Sequence, residues 1–202
     1  MDDLIKIYGD AQSGNCYKLK LITAILNIEH EWLHVDILAG DTKDESFLTL
    51  NPAGKIPLLL LPDGRCLSES NAILNFLAAG SELLPDEPFL RAKVLQWQFF
   101  EQYSHEPYIA VARFIAKYLG LPEDKKEEYV SKQEGGNKAL AVMEKQLLET
   151  SYLLGESFSV ADISLYAYTH VAEEGGFNLS HYPAIQAWLA RISKLPNYTG
   201  MN

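Results

Sequence analysis

The sequence predicts an α/β domain followed by an all-helical domain. Three observations carry that prediction. Short apolar, β-branched and aromatic runs alternate with helical patterns through the first 80 residues. From Phe89 onward the periodicity is helical and stays so. Between them lies a stretch punctuated by Gly80, Pro85 and Pro88, with acidic residues in between, which is linker composition. The expected organisation is 1–80, a linker over 81–88, and 89–202.

Leu4-Ile5-Lys6-Ile7-Tyr8 reads as a strand, rich in β-branched and aromatic types. The small, polar stretch from Gly9 to Asn15 is a loop. A helix is expected from about Cys16 to Leu26, with Leu19, Ile22, Ile25 and Leu26 on its apolar face. Trp32 to Asp36 is a second strand, and Asp41 to Leu50 a short irregular helix. Asn51-Pro52-Ala53-Gly54 is turn material. The run Leu58-Leu59-Leu60-Leu61 indicates a strand buried on both faces. Pro57 must open that strand, because it has no N–H for a ladder, and it is a candidate cis peptide. Pro62-Asp63-Gly64-Arg65 turns the chain back through Cys66-Leu67. Ser68 to Asn71 then opens a helix carrying Ile73, Leu74, Phe76 and Leu77.

The second half reads as one long helical pattern from Phe89 to Leu119, interrupted near Ser104-His105-Glu106 by Pro107. Leu121-Pro122 restarts a helix, which Gly135-Gly136 is expected to loosen. Ser159 and Asp162 stand three apart as a capping box for a helix from Val160 to Val171. Pro183 starts the last helix, and the chain from Pro196 to Asn202 is a tail.

The formal net charge of −10 argues against nucleic acid or an anionic membrane as partner. No apolar run approaches the roughly 20 residues that span a bilayer. The start, Met1-Asp2-Asp3, is acidic and unlike a signal peptide. The two cysteines, Cys16 and Cys66, make no CxxC pair or disulfide framework, so a reducing compartment and a cytoplasmic location are expected. No spacing suggests a metal site.

Residues 51–77 offer two holds for a small anionic, peptide-like ligand. Backbone at Ile56 is available to pair with an extended peptide. The helix start at Glu69-Ser70 offers a carboxylate for an ammonium and N–H donors for a carboxylate. That combination fits the cysteinyl backbone and γ-glutamyl end of glutathione.

Lys55-Ile56-Pro57 followed by Glu69-Ser70-Asn71-Ala72-Ile73 resembles the glutathione-binding signature of the cytosolic glutathione transferase superfamily. The resemblance spans nearly the whole chain and is nearest bacterial members around the theta, delta and beta classes. It implies a thioredoxin-like N-terminal domain, consistent with the order βαβ, α, ββα, and an all-α C-terminal domain. It also implies glutathione as co-substrate, a small electrophile as second substrate, a homodimer and a detoxifying role.

Glutathione conjugation needs a thiolate, and a thiol of pKa about 8.5 is mostly protonated at neutral pH. A hydroxyl donor beside a helix N-terminus favours the charged form. Ser13-Gly14-Asn15-Cys16-Tyr17-Lys18 resembles the serine-type loop, which makes Ser13 the catalytic hydroxyl. In those classes a basic residue directly follows the cysteine; here Tyr17 intervenes before Lys18. Tyr8, at the end of the first strand, and Cys16, as a low-pKa thiol, are rivals to Ser13. The resemblance assigns Lys55 to the glycyl carboxylate, Ile56 and Pro57 to the cysteinyl backbone, and Glu69 and Ser70 to the γ-glutamyl group, Ser70 by hydroxyl and N–H. Tyr103, His105, Tyr108 and Arg113 are candidates for the second-substrate pocket. Two other functions remain open: glutathione-dependent thiol–disulfide exchange or peroxide reduction, and a non-catalytic binding module like those fused to translation factors.

Overall fold

The computed structural model describes residues 4–201. The acidic start at 1–3 and the last residue of the tail lie outside the described residues. The chain forms two compact units, residues 4–79 with 195–201, and residues 80–194.

The first unit holds a four-stranded mixed sheet. Strands β1 (Ile5–Gly9), β2 (His30–His34), β3 (Leu58–Leu60) and β4 (Cys66–Ser68) lie in the order β2-β1-β3-β4. β1 pairs parallel with β2 and antiparallel with β3, and β3 pairs antiparallel with β4. Three helices belong to this unit: α1 (Gly14–Ile25), α2 (Glu45–Leu50) and α3 (Ser70–Leu77). Side chains alternate across a strand, and here both faces are covered. Ile7 and Leu59 pack with Leu19 of α1 and Ile73 of α3. Their strand neighbours Tyr8 and Leu58 point the other way, to Val35 and to Phe47 of α2. This double burial explains the apolar run Leu58 to Leu61. The second strand ends at His34, two residues before the expected end.

Residues 195–201 group with the first unit, although the expected helical domain runs to residue 202. The cause is visible on α1. The Tyr17 hydroxyl donates to the Thr199 carbonyl at 2.8 Å, and Lys20 Nζ to the Met201 carbonyl at 3.2 Å. Tyr17, the residue that departs from the serine-type pattern, is therefore a buried tether for the tail.

The second unit is helical: α4 (Pro88–Phe100), α5 (Glu106–Arg113), α6 (Lys126–Glu149), α7 (Val160–Thr169) and α8 (Pro183–Ile192). Pro107 does interrupt the long helix, through a π-helical turn over Glu101–His105 rather than a break. A proline removes one N–H donor from the ladder, and a wider turn accommodates the loss. Gly135 and Gly136 do not loosen α6, which runs straight through them. They let aromatic rings lie against the helix: a Cβ would stand 2.2 Å from the Tyr108 ring at Gly135 and 2.2 Å from the Phe177 ring at Gly136. The expected capping box is present, with Ser159 as N-cap and Asp162 as its reciprocal partner. Among the described residues, no helix is long and apolar enough to cross a membrane.

Candidate functional site

Ser13 is the N-cap of α1. Its N–H donates to the Asp10 carbonyl at 3.1 Å, and Asp10 Oδ1 accepts the Gln12 N–H at 2.9 Å, so the loop before α1 is a closed turn. Ser13 Oγ accepts the Cys16 N–H at 3.4 Å. A hydroxyl oxygen that accepts from backbone keeps its own proton for donation. Capping and donation to a ligand sulfur are thus compatible in one side chain.

Cys16 is fully buried in the first turn of α1. Burial pushes its thiol up to about 12, against hydrogen bonds with Ser13 and Asp10 that favour the thiolate. The expected rival role as a low-pKa nucleophile therefore fails: a desolvated thiol stays protonated at neutral pH. A neutral thiol is also a weaker acceptor for the Ser13 hydroxyl than an incoming thiolate. Tyr8 is half-buried, its ring 6.2 Å from that of Phe47 in an edge contact. It lines a cavity of about 300 Å³ with His34, Asp41 and Phe47, beside α2.

The turn before β3 is held by Asn51, which is buried. Its Nδ2 donates to the Lys55 carbonyl at 2.7 Å, and its Oδ1 accepts the Ala53 N–H at 3.2 Å. The Ile56–Pro57 peptide is cis, as the sequence suggested. Pro57 is buried, Ile56 half-buried and Lys55 exposed. The β-ladder begins at Leu58, which leaves Ile56 beyond its end.

Glu69 precedes α3 with φ at 69° and ψ at 111°. A non-glycine residue at positive φ carries a local cost of order 1 kcal/mol or more, and such residues cluster at functional sites. Its side chain is exposed and makes no capping bond. Ser70 is the first residue of α3, so its N–H has no intrahelical acceptor. Its hydroxyl is bonded within the protein. It donates to Asn15 Oδ1 at 3.1 Å and accepts from Lys18 Nζ at 3.1 Å. Lys18 Nζ also donates to Asn71 Oδ1 at 3.4 Å. Sequence reasoning gave Asn15 and Lys18 no part in the site. Their spacing of three puts both on one face of α1, but nothing in that spacing says the lysine is buried.

The four candidates for a second-substrate pocket separate into two pairs. Tyr103 and Tyr108 line a cavity of about 270 Å³ with Phe100, Lys138, Ala139 and Val142. Tyr103 is 85% exposed there. His105 and Arg113 do not line it. His105 is fully buried, with Nε2 2.9 Å from Thr169 Oγ1, a hydroxyl that already donates to the Leu165 carbonyl. Arg113 is buried too, its Nε donating to Glu174 Oε2 at 2.7 Å. One turn of helix around the π-helical segment decides which side chains meet the cavity. Among the described residues there is no cluster of three or more metal-ligating side chains.

The chain matches the family models "Glutathione S-transferase, N-terminal domain" over residues 12–79 and "Glutathione S-transferase, C-terminal domain" over residues 97–196. It belongs to the glutathione S-transferase superfamily. A crystal structure of a glutathione S-transferase from Pseudomonas fluorescens is 65% identical with a TM-score of 0.97, covering 98% of each chain. Glutathione S-transferase F14 of Arabidopsis thaliana is 33% identical, over 94% of this chain and 77% of its own. A glutathione transferase family member from Pseudomonas fluorescens Pf-5, solved with two glutathione bound, is 25% identical with a TM-score of 0.83, covering 96% of this chain and 90% of its own. Elongation factor 1-gamma of Artemia salina is 28% identical over 84% of this chain but only 40% of its own length. The small mixed sheet with its helices, followed by a helical unit, is the thioredoxin-like plus helical fold of this superfamily.

Proposed function

We propose that this glutathione transferase family member joins the glutathione thiolate to small electrophiles. The observation that carries this reading is the pairing of two helix starts. Ser13 caps α1 and Ser70 opens α3, and Asn15 and Lys18 of α1 bond directly to Ser70. Helix starts present N–H groups and the positive end of the dipole, which suits a carboxylate and a thiolate. The glutathione bound in the 25% identical relative supports the same ligand here.

In this reading the Ser70 N–H holds the γ-glutamyl carboxylate and Glu69 its ammonium. Ile56 pairs with the cysteinyl backbone, and Lys55 meets the glycyl carboxylate. The Ser13 hydroxyl donates to the sulfur, lowering its pKa so that the thiolate is the populated nucleophile. Thiolate attack on an electrophilic carbon forms a C–S bond as the leaving group departs with its electron pair. Tyr103 and Tyr108 border the pocket for the electrophile. The protein works as a cytoplasmic homodimer with a detoxifying role.

Calorimetry with glutathione on wild type and Ser70→Ala, with chlorodinitroarene conjugation on wild type and Ser13→Ala, tests the reading. Wild type binds, Ser70→Ala binds more weakly, and Ser13→Ala keeps binding while conjugation falls about 10–100-fold. Binding without conjugation would favour thiol–disulfide exchange. No binding would favour an assembly module, the reading that the likeness to elongation factor 1-gamma keeps in play.

A further inference from the structure

Gly135, Lys138, Ala139 and Val142 stand at i, i+3, i+4 and i+7 of α6, so helix geometry puts them on one stripe, and all four line the same cavity. The rest of its wall includes Phe100, Tyr103 and Tyr108. Gly135 lets the Tyr108 ring lie directly on the helix, since a Cβ there would stand 2.2 Å from it. The wall is thus aromatic and aliphatic, with tyrosine hydroxyls as donors. An apolar cavity of about 150 Å³ takes benzene. The cavity here, about 270 Å³, has room for one ring with its substituents.

Among the described residues that line it, Lys138 is the one charged side chain. Its Nζ donates to Glu134 Oε1 at 2.6 Å, one turn back on α6. That hydrogen bond raises the Lys138 pKa, so the side chain is a cation at neutral pH. The two side chains are 73% and 79% exposed, so water competes for both and their pairing contributes little. A loosely held cation at the rim of an aromatic cavity is matched by a ring that carries a negative charge. The ring leaves water among the aromatic side chains, and its anion shares Lys138 with Glu134. A rim charge of this kind acts on the choice between ligands more than on total affinity.

We propose that Lys138 is a specificity-determining residue: it selects aromatic electrophiles that carry an anionic group such as a carboxylate, with the ring in the cavity and the anion at its rim. The inference rests on the reading above that Tyr103 and Tyr108 border the electrophile pocket, and it names the substrate class. It also gives Glu134 a part, as the competing carboxylate that keeps the preference moderate.

The test compares dinitrobenzoate with dinitrobenzamide, two rings of the same shape that differ in charge and carry no leaving group, so binding is read apart from chemistry. Both are titrated calorimetrically into wild type, Lys138→Met, Lys138→Glu and Glu134→Gln. The two positions are exposed, so the variants are expected to fold, and circular dichroism with a cooperative melt checks this. Wild type is expected to prefer the benzoate by about 3–10-fold at low salt, less as salt rises. Lys138→Met should lose that preference, Lys138→Glu reverse it and Glu134→Gln enlarge it. With chlorodinitrobenzoate as electrophile, Lys138→Met should raise KM more than it lowers kcat. A wild type without the preference, or a Lys138→Met variant that keeps it, would overturn the role of Lys138. Chlorodinitroarene conjugation by the same wild type would then leave the conjugation reading standing. A wild type that binds neither ring and conjugates nothing would overturn both.

Discussion

The Trp188 indole N–H donates to Asp162 Oδ1 at 2.9 Å, joining the start of α7 to the middle of α8. The same carboxylate accepts the Leu153 N–H at 2.9 Å, and the Ser159 N–H and hydroxyl at 3.0 Å each. One buried acid thus satisfies four donors from three segments. Asp162→Ala leaves those donors without acceptors in a dry interior, where each costs about 1–3 kcal/mol. The expected loss, after partial relaxation, is about 3 kcal/mol or more. Urea denaturation checks it, and a loss below about 1 kcal/mol, the worth of a surface cap alone, would contradict the shared-acceptor account.

Asp162 and His170 oppose one another in pH. Burial raises Asp162 to about 6 from 3.8. The folded state then holds a proton the unfolded state has released, so its contribution is full below pH 3.8 and is lost as pH rises through 6. Burial lowers His170 to about 4 from 6.5. There the unfolded state holds the extra proton, so stability is full above pH 6.5 and is lost as pH falls through 4. Each shift is worth roughly 3 kcal/mol, and the two largely cancel between pH 4 and 6. His170→Phe keeps a ring to stack on Tyr166 and leaves Asp162 alone, so stability should fall as pH rises from 4 to 6. Asp162→Asn should fall in the opposite direction. Denaturation midpoints between pH 4 and 7 read both slopes.

Gly135→Ala and Gly136→Ala should destabilise the helical unit although alanine is the better helix former. Propensity favours alanine by about 1 kcal/mol. The added methyl at either position stands 2.2 Å from an aromatic ring, that of Tyr108 or Phe177. Overpacking of this kind costs about 1–3 kcal/mol. A lower melting temperature in both variants is expected. Gly135→Ala should also disturb the cavity that Tyr108 lines, read by a changed KM for the electrophile.

The two thiols should differ sharply in reactivity. Cys66 is exposed on β4 and Cys16 is buried with its thiol pushed up to about 12. A thiol reagent at neutral pH should titrate one cysteine in the native protein and two after denaturation. Cys66→Ser should remove the native signal and leave conjugation intact. Rapid native labelling of Cys16 would reopen the thiol-exchange reading.

The sequence by itself determined the parts whose cause is local. Proline without an N–H marked the start of β3 and of α8. Ser159 with Asp162 marked the start of α7. Local chemistry of this kind lies within a few residues of chain. Only the tertiary structure decided that Lys18 is buried beneath Ser70, that Tyr17 tethers the tail, and that Gly135 and Gly136 admit aromatic rings. It also decided that His105 and Arg113 turn into the interior while Tyr103 and Tyr108 meet the cavity. These outcomes depend on partners 27 to 182 residues away and on the phase of a helix that a π-helical turn resets. Side-chain burial and helix phase are properties of packing, and periodicity read along one chain carries no record of what packs against it.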